Sequence, residues 1–157
     1  VLWQPFEVVI IVGAAIGAGS RARLRAAVVT AGIWALAVAA LYTIIYAGLG
    51  SFIIGALTGI EIVRAGANEY LVWLMISPIV SVWSFLLDGI FIGATRTAEM
   101  RNAMLISLAV FLAAVFVLQP IYGNHGLWLS LMLFMVARAI TLGAYYPRLE
   151  RRAGFKD

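Results

Sequence analysis

Five polar side chains on one face of an apolar stretch carry most of the chemistry in this sequence. Ser77, Ser81, Ser84, Asp88 and Thr95 follow at steps of four, three, four and seven residues. That spacing sets them along one side of a 3.6-residue helix. The helix that must position them is predicted over Tyr70–Ala94, 25 residues long and apolar enough to cross a bilayer. A carboxylate in lipid costs about 2.5–3.5 kcal/mol on insertion scales, so Asp88 needs an interior to face, either a bundle core or a watery cavity. Two chemistries fit. Asp88 could titrate or hold a cation in a cavity, or it could be the satisfied partner of an arginine. Arg138 is the candidate partner, with Ser130, Phe134 and Thr141 on its face of a second apolar helix. Asp88 lies eight residues from Arg96, and Arg138 ten from Arg148, which is about 12 Å and about 15 Å along the two axes. The pair therefore sits at similar depth, within reach if the two helices touch. Both chemistries coexist if cation binding breaks the pair.

Other residues weigh less. Pro78 frees the carbonyl of Leu74 near the middle of the same helix, and Ser77 beside it can satisfy that carbonyl. Trp83 and Phe91 could line an apolar pocket or face lipid. Ser81 and Ser84 join Asp88, Arg138 and Phe91 as candidate cavity residues. Glu7 is a second possible intramembrane acid. His125, alone in a Gly-Asn-His-Gly turn, reads as a turn or cap residue and not a metal ligand, because no Cys or acid lies at ligand spacing. No nucleophile triad, phosphate loop, HExxH or paired catalytic carboxylates occur. No metal site and no enzyme activity are expected.

The elements behind these residues follow from composition. Of 157 residues, 64% are hydrophobic and 11% charged, with a mean hydropathy of +1.04. No soluble domain of this length has interior enough for that much apolar surface, so lipid is the solvent for much of it. The net charge of +4 does not point to nucleic acid, since the basic residues fall in short clusters between apolar runs. There is no cysteine. Five apolar segments are predicted: Pro5–Gly19, short for a crossing and read as the tail of a helix; Ala26–Leu49; Tyr70–Ala94; Asn102–Leu118, stopped by Pro120; and Leu127–Tyr146. A short interfacial helix within Gly50–Glu69 is expected to lead into the third. The fold class is all-α, a polytopic membrane bundle of about four full transmembrane helices plus a partial one, in a single membrane domain spanning 1–157. The chain starts within an apolar stretch, without methionine or a basic n-region, so a truncated larger protein is expected and a signal peptide is not.

Nine basic residues (Arg21, Arg23, Arg25, Arg96, Arg101, Arg148, Arg151, Arg152 and Lys156) fall on one side of this topology, against Arg64 on the other. By the positive-inside rule the first and third loops and the C-terminus are cytoplasmic, in a multi-pass protein of the inner (plasma) membrane. Trp3, Trp73, Trp128, Tyr70 and Tyr122 lie near the outer boundaries and fit an aromatic belt. Small residues recur every four positions at Ala27, Ala31, Ala35, Ala39, Thr43 and Ala47, and Gly13-x-x-x-Gly17 adds a second close-packing signal.

The stretch Phe85-Leu-Leu-Asp-Gly-Ile-Phe-Ile-Gly-Ala-Thr-Arg-Thr-Ala-Glu-Met-Arg-Asn-Ala-Met104 resembles the multidrug and toxic compound extrusion family, in its DNA-damage-inducible F (DinF) branch. Val12-Gly-Ala-Ala-Ile-Gly-Ala-Gly19 and Gly123-Asn-His-Gly-Leu-Trp128 agree with it, as does the end Tyr146-Pro-Arg-Leu-Glu150. The resemblance implies a twelve-helix exporter of two six-helix halves, exchanging lipophilic or cationic compounds for H⁺ or Na⁺ without another cofactor. The five segments then look like helices eight to twelve. The partners implied are the lipid bilayer, small lipophilic or cationic substrates and the missing N-terminal half, where that branch keeps its best-known coupling carboxylate. Asp88 matches the family's acid in helix ten. Ser20 stands where an acid is usual, and residues 1–6 depart from the pattern. Two other readings remain open: a lipid-linked precursor flippase of the wider superfamily, and a non-transporting membrane assembly subunit or remnant.

Overall fold

The structure is a computed structural model and describes the backbone of residues 4–152, with side chains for residues 8–151. It contains α1 (Gln4–Gly17), α2 (Arg21–Leu57), α3 (Glu61–Gly93), α4 (Thr97–Tyr122) and α5 (Asn124–Arg152), with no strand among the described residues. The last four are long and apolar enough to cross a membrane, and the apolar part of α1, Val8–Gly17, is shorter. This is the expected all-helical set of four full spans and a partial one. Trp3 lies outside the described residues, as does the side chain of Glu7.

Local chemistry explains the helix ends. Gly19 takes the left-handed conformation (φ +63°) that reverses the chain after α1. Ser20 then caps α2, its Oγ accepting from the Arg23 amide at 3.3 Å. Three sequence-based boundaries need correction. The stretch Gly50–Glu69 holds no separate interfacial helix: α2 continues to Leu57, a short break contains Thr58 in extended backbone, and Glu61 already begins α3. Gly50 and Gly55 do not stop α2, because the neighbouring helix fills their missing side chains. A Cβ on Gly50 would stand 2.7 Å from Leu71, and one on Gly55 3.1 Å from the Arg64 guanidinium. Pro120 does not stop α4 either. It forfeits its own bond to the Phe116 carbonyl, but the turn closes beyond it, the Gly123 N–H donating to the Gln119 carbonyl at 2.8 Å, and the helix ends at Gly123 (φ +57°). Finally, α4 and α5 extend past the apolar windows at both ends. Hydropathy marks the lipid-facing length, whereas polar and basic residues continue a helix without penalty.

Helix α3 packs against each of the other four. One core cluster, with Val12, Leu24, Ile90, Phe91, Ala103 and Leu142 fully buried, gathers all five helices at the basic end of the bundle. A second joins Ala35 and Ala39 of the small-residue ridge to Val82 of α3. At the first of these clusters α1 crosses α3 so closely that a Cβ on Gly93 would lie 2.7 Å from the Val9 carbonyl oxygen, while Gly13 rests on the Gly93 carbonyl. Gly17, the other half of the GxxxG pair, meets nothing. Outside these clusters large apolar side chains point outward, Leu57 at 81% exposure and Phe116 at 79% among them. Such a surface is stable in lipid and not in water.

The two ends of the chain's basic side meet where Arg25 of α2 donates from Nε to Glu150 Oε1 (2.6 Å) and from Nη2 to Oε2 (3.0 Å) on α5. Arg25 is 62% exposed, so solvent screens the pair. Arg25→Gln is expected to cost about 0.5 kcal/mol, less at high salt, read as the shift in thermal unfolding in detergent at two salt concentrations.

Candidate functional site

Asp88 sits five residues before the end of α3, on the side that packs against α5. Arg138 of α5 reaches it with two of its nitrogens: Nε donates to Oδ1 at 3.1 Å and Oδ2 at 3.0 Å, and Nη2 donates to Oδ1 at 2.8 Å. Both side chains are largely shielded, Arg138 13% and Asp88 18% exposed. The third nitrogen, Nη1, lies against the sulfur of Met104 on α4. A planar guanidinium matched to a carboxylate is the geometry in which such pairs are strongest. Three helices thus converge on one ion pair within the segments long enough to span a membrane.

The rest of the polar stripe divides. Ser81 donates to the Ser77 carbonyl at 2.5 Å, as a hydroxyl in a lipid-facing helix commonly does. Ser84, one turn before Asp88, is 1% exposed, and its Oγ has no partner among the described residues. Thr95 leaves the stripe altogether: α3 ends at Gly93, and Thr95 takes the left-handed conformation (φ +56°) in the turn to α4. Phe91 faces neither lipid nor a pocket but is fully buried in the core, while Trp83 is 46% exposed. On α5, Ser130 is buried with its hydroxyl on the Gly126 carbonyl, and Thr141 turns back to the Ala137 carbonyl.

Pro78 leaves the Leu74 carbonyl without its helical donor, and hydroxyls bond that carbonyl and its neighbour. Ser77 Oγ donates to the Leu74 carbonyl at 3.4 Å, as its position beside the proline implied. Thr43, from the α2 ridge, donates to the Met75 carbonyl at 2.8 Å. The second bond crosses between helices and could not be assigned from sequence, where Thr43 reads only as a small ridge residue. Thr43→Val keeps the shape and removes the donor, so it is expected to cost about 1 kcal/mol, measured as loss of thermal stability in detergent.

A cleft of about 650 Å³ opens between α1, α2 and α3. Thr30, Trp34, Tyr42 and Tyr46 of α2 and Ser77 and Ser81 of α3 are among its lining residues. Asp88, Arg138, Ser84 and Phe91 are not. Of the residues singled out from sequence, the structure therefore brings Asp88 and Arg138 together on one side of α3 and places Ser81 on the cleft side.

At the opposite end of the bundle His125, in the first turn of α5, joins a cluster from α3. Trp73 Nε1 donates to its Nδ1 at 2.9 Å, its Nε2 faces Glu69 Oε1 at 3.2 Å, and the Tyr70 ring lies 4.8 Å from the imidazole. These partners lie more than 50 residues away, so no local spacing reveals them. They include two of the aromatic residues assigned to the outer boundary.

Comparison with known proteins agrees with the motifs. The MatE family model matches residues 8–118, which include Asp88 and exclude Arg138. The chain is similar to DNA damage-inducible protein F of Escherichia coli (strain K12), 44% identical over 111 residues, covering 71% of this chain and 24% of that protein. It thus spans about a quarter of the length of that relative. No solved structure matches.

Proposed function

Because the chain belongs to the MatE family of multidrug and toxic compound extrusion transporters, we propose that it is the C-terminal portion of a DinF-like antiporter. In this reading it supplies helices eight to twelve, exporting lipophilic or cationic compounds in exchange for H⁺ or Na⁺. Its arginine-rich end faces the cytoplasm of an inner-membrane protein, as the nine-to-one distribution of basic residues favours. The observation that carries the proposal is the paired carboxylate. An ion pair enclosed by α3, α4 and α5 is costly to place in a membrane span and persists where it serves an interior function.

Alternating access needs an element with two arrangements whose balance a cation can tip. Helix α3 has the right connections: Asp88 meets α5 near the helix end, and the cleft, with Pro78 in its lining, runs along the preceding turns. When Asp88 takes up H⁺ or Na⁺ it no longer needs Arg138, and the α3–α5 contact loosens. Opening the pair with nothing in its place costs about 3–5 kcal/mol. Swinging a two-state equilibrium fully from one side to the other takes about 5.5 kcal/mol. The pair therefore supplies a large part, though not all, of what a full swing of the motion takes.

One half offers one wall of a transport cavity. The chain expressed alone is expected to give no ethidium efflux above background in a pump-deficient strain, and co-expression with the first half of a DinF-like protein is expected to restore it. Efflux from the chain alone would point to a complete transporter. Failure of every co-expressed first half would favour the assembly-subunit reading.

A further inference from the structure

The cleft has a shape that the ion pair does not explain. Its lining on α2 runs from Arg23 to Tyr46, which is about 35 Å of helix and close to the 30 Å depth of a hydrocarbon core. A transmembrane helix, about 10–12 Å across, could lay only one face into a cleft of 650 Å³. The space suits one extended hydrocarbon chain instead. Small residues of the ridge, Ala27, Ala31, Ala35 and Ala39, form its floor, with Trp34 and Tyr42 also in its lining. At its basic end Arg23 is, among the described residues, the one charged side chain that lines it. Its guanidinium has no hydrogen-bond or ion-pair partner among those residues, whereas Arg21 and Arg25 beside it are engaged.

We propose that this slot is a binding site for one anionic phospholipid, its phosphate held by Arg23 and one acyl chain laid along the alanine ridge towards Tyr46. Basic pockets between membrane helices at the headgroup level hold anionic lipids by this combination of charge and chain. The site does not depend on the antiport reading, because it uses neither Asp88 nor Arg138. A lipid there would cover the part of α2 around Thr30 and Trp34 that the packing of α1 and α3 leaves exposed, and would hold Ser77 and Ser81 away from bulk water.

Native mass spectrometry of the chain, purified in detergent with equal phosphatidylglycerol and phosphatidylcholine, tests this. One phosphatidylglycerol per chain is expected to be retained, in about fivefold preference, the factor that one arginine contributes near a membrane surface. Arg23→Gln is expected to remove the preference, and Arg151→Gln, a charge loss outside the slot, to leave it. Thr30→Phe, at an exposed position in the lining, is expected to abolish retention of both lipids while circular dichroism shows the helices intact. Equal retention of the two lipids, a preference that survives Arg23→Gln, or one lost equally in Arg151→Gln would overturn the proposal. So would a slot that retains no lipid, or a lipid-free dimer sensitive to Thr30→Phe, which would identify a second copy as the occupant.

Discussion

Replacing Arg138 with methionine is expected to destabilise the bundle by about 3–5 kcal/mol, because it strands the Asp88 carboxylate among three helices with no cation to face. Methionine roughly keeps the volume of the aliphatic stem, so little of the loss comes from packing. Removing Asp88 as well, in Asp88→Asn with Arg138→Met, is expected to recover most of the stability, since neither side chain then carries a charge. Reversing the pair, Asp88→Arg with Arg138→Asp, should also recover folding that either single change loses. Thermal unfolding in detergent gives all the values of such a cycle, and their departure from additivity reports the coupling directly. Additive effects would mean that the two groups do not meet in the membrane, whatever their separate contributions.

The second large effect belongs to a position without a side chain. Gly93→Leu is expected to cost 3 kcal/mol or more, and Gly93→Ala about 1–3 kcal/mol, by forcing α1 away from α3. A Cβ there meets the Val9 carbonyl oxygen at 2.7 Å and the Val12 side chain at 3.0 Å, and backbone cannot turn aside as a flexible side chain can. Gly17→Ala is the control. Nothing lies within 4 Å of a Cβ at that position, so the change should be neutral or slightly stabilising. The contrast also separates two glycines that the sequence presents alike. The GxxxG pattern points to Gly13 and Gly17, yet the tight crossing uses Gly13 and Gly93, from different helices.

That contrast shows what sequence periodicity can and cannot supply. The polar stripe of α3 and the depth of Arg138 were readable because a helix fixes angle and rise per residue, and two such rulers set side by side predict which residues share a level. The ion pair followed from those rulers. Helix ends were less legible. Hydropathy falls where lipid ends, not where helical hydrogen bonding ends, so α2, α4 and α5 outrun their apolar windows. The division of the stripe was not legible at all. Ser81 and Asp88 share one face of α3 but meet different neighbours, because the cleft with α1 and α2 follows the earlier turns and Arg138 of α5 meets the helix at Asp88, and a face of about 100° is wide enough to serve both. The Thr43–Met75 bond and the His125 cluster likewise depend on which helices are neighbours, a property of the assembled bundle.

In the proposed antiporter Asp88 is the group whose change of state drives exchange. Joined to a DinF-like first half and expressed in a pump-deficient strain, the chain should support ethidium efflux that varies with external pH. Asp88→Asn, measured in the same cells at matched protein levels, is predicted to lose most of that efflux and all of its pH dependence. Efflux by Asp88→Asn that follows the unmodified protein across the whole pH range would contradict the account.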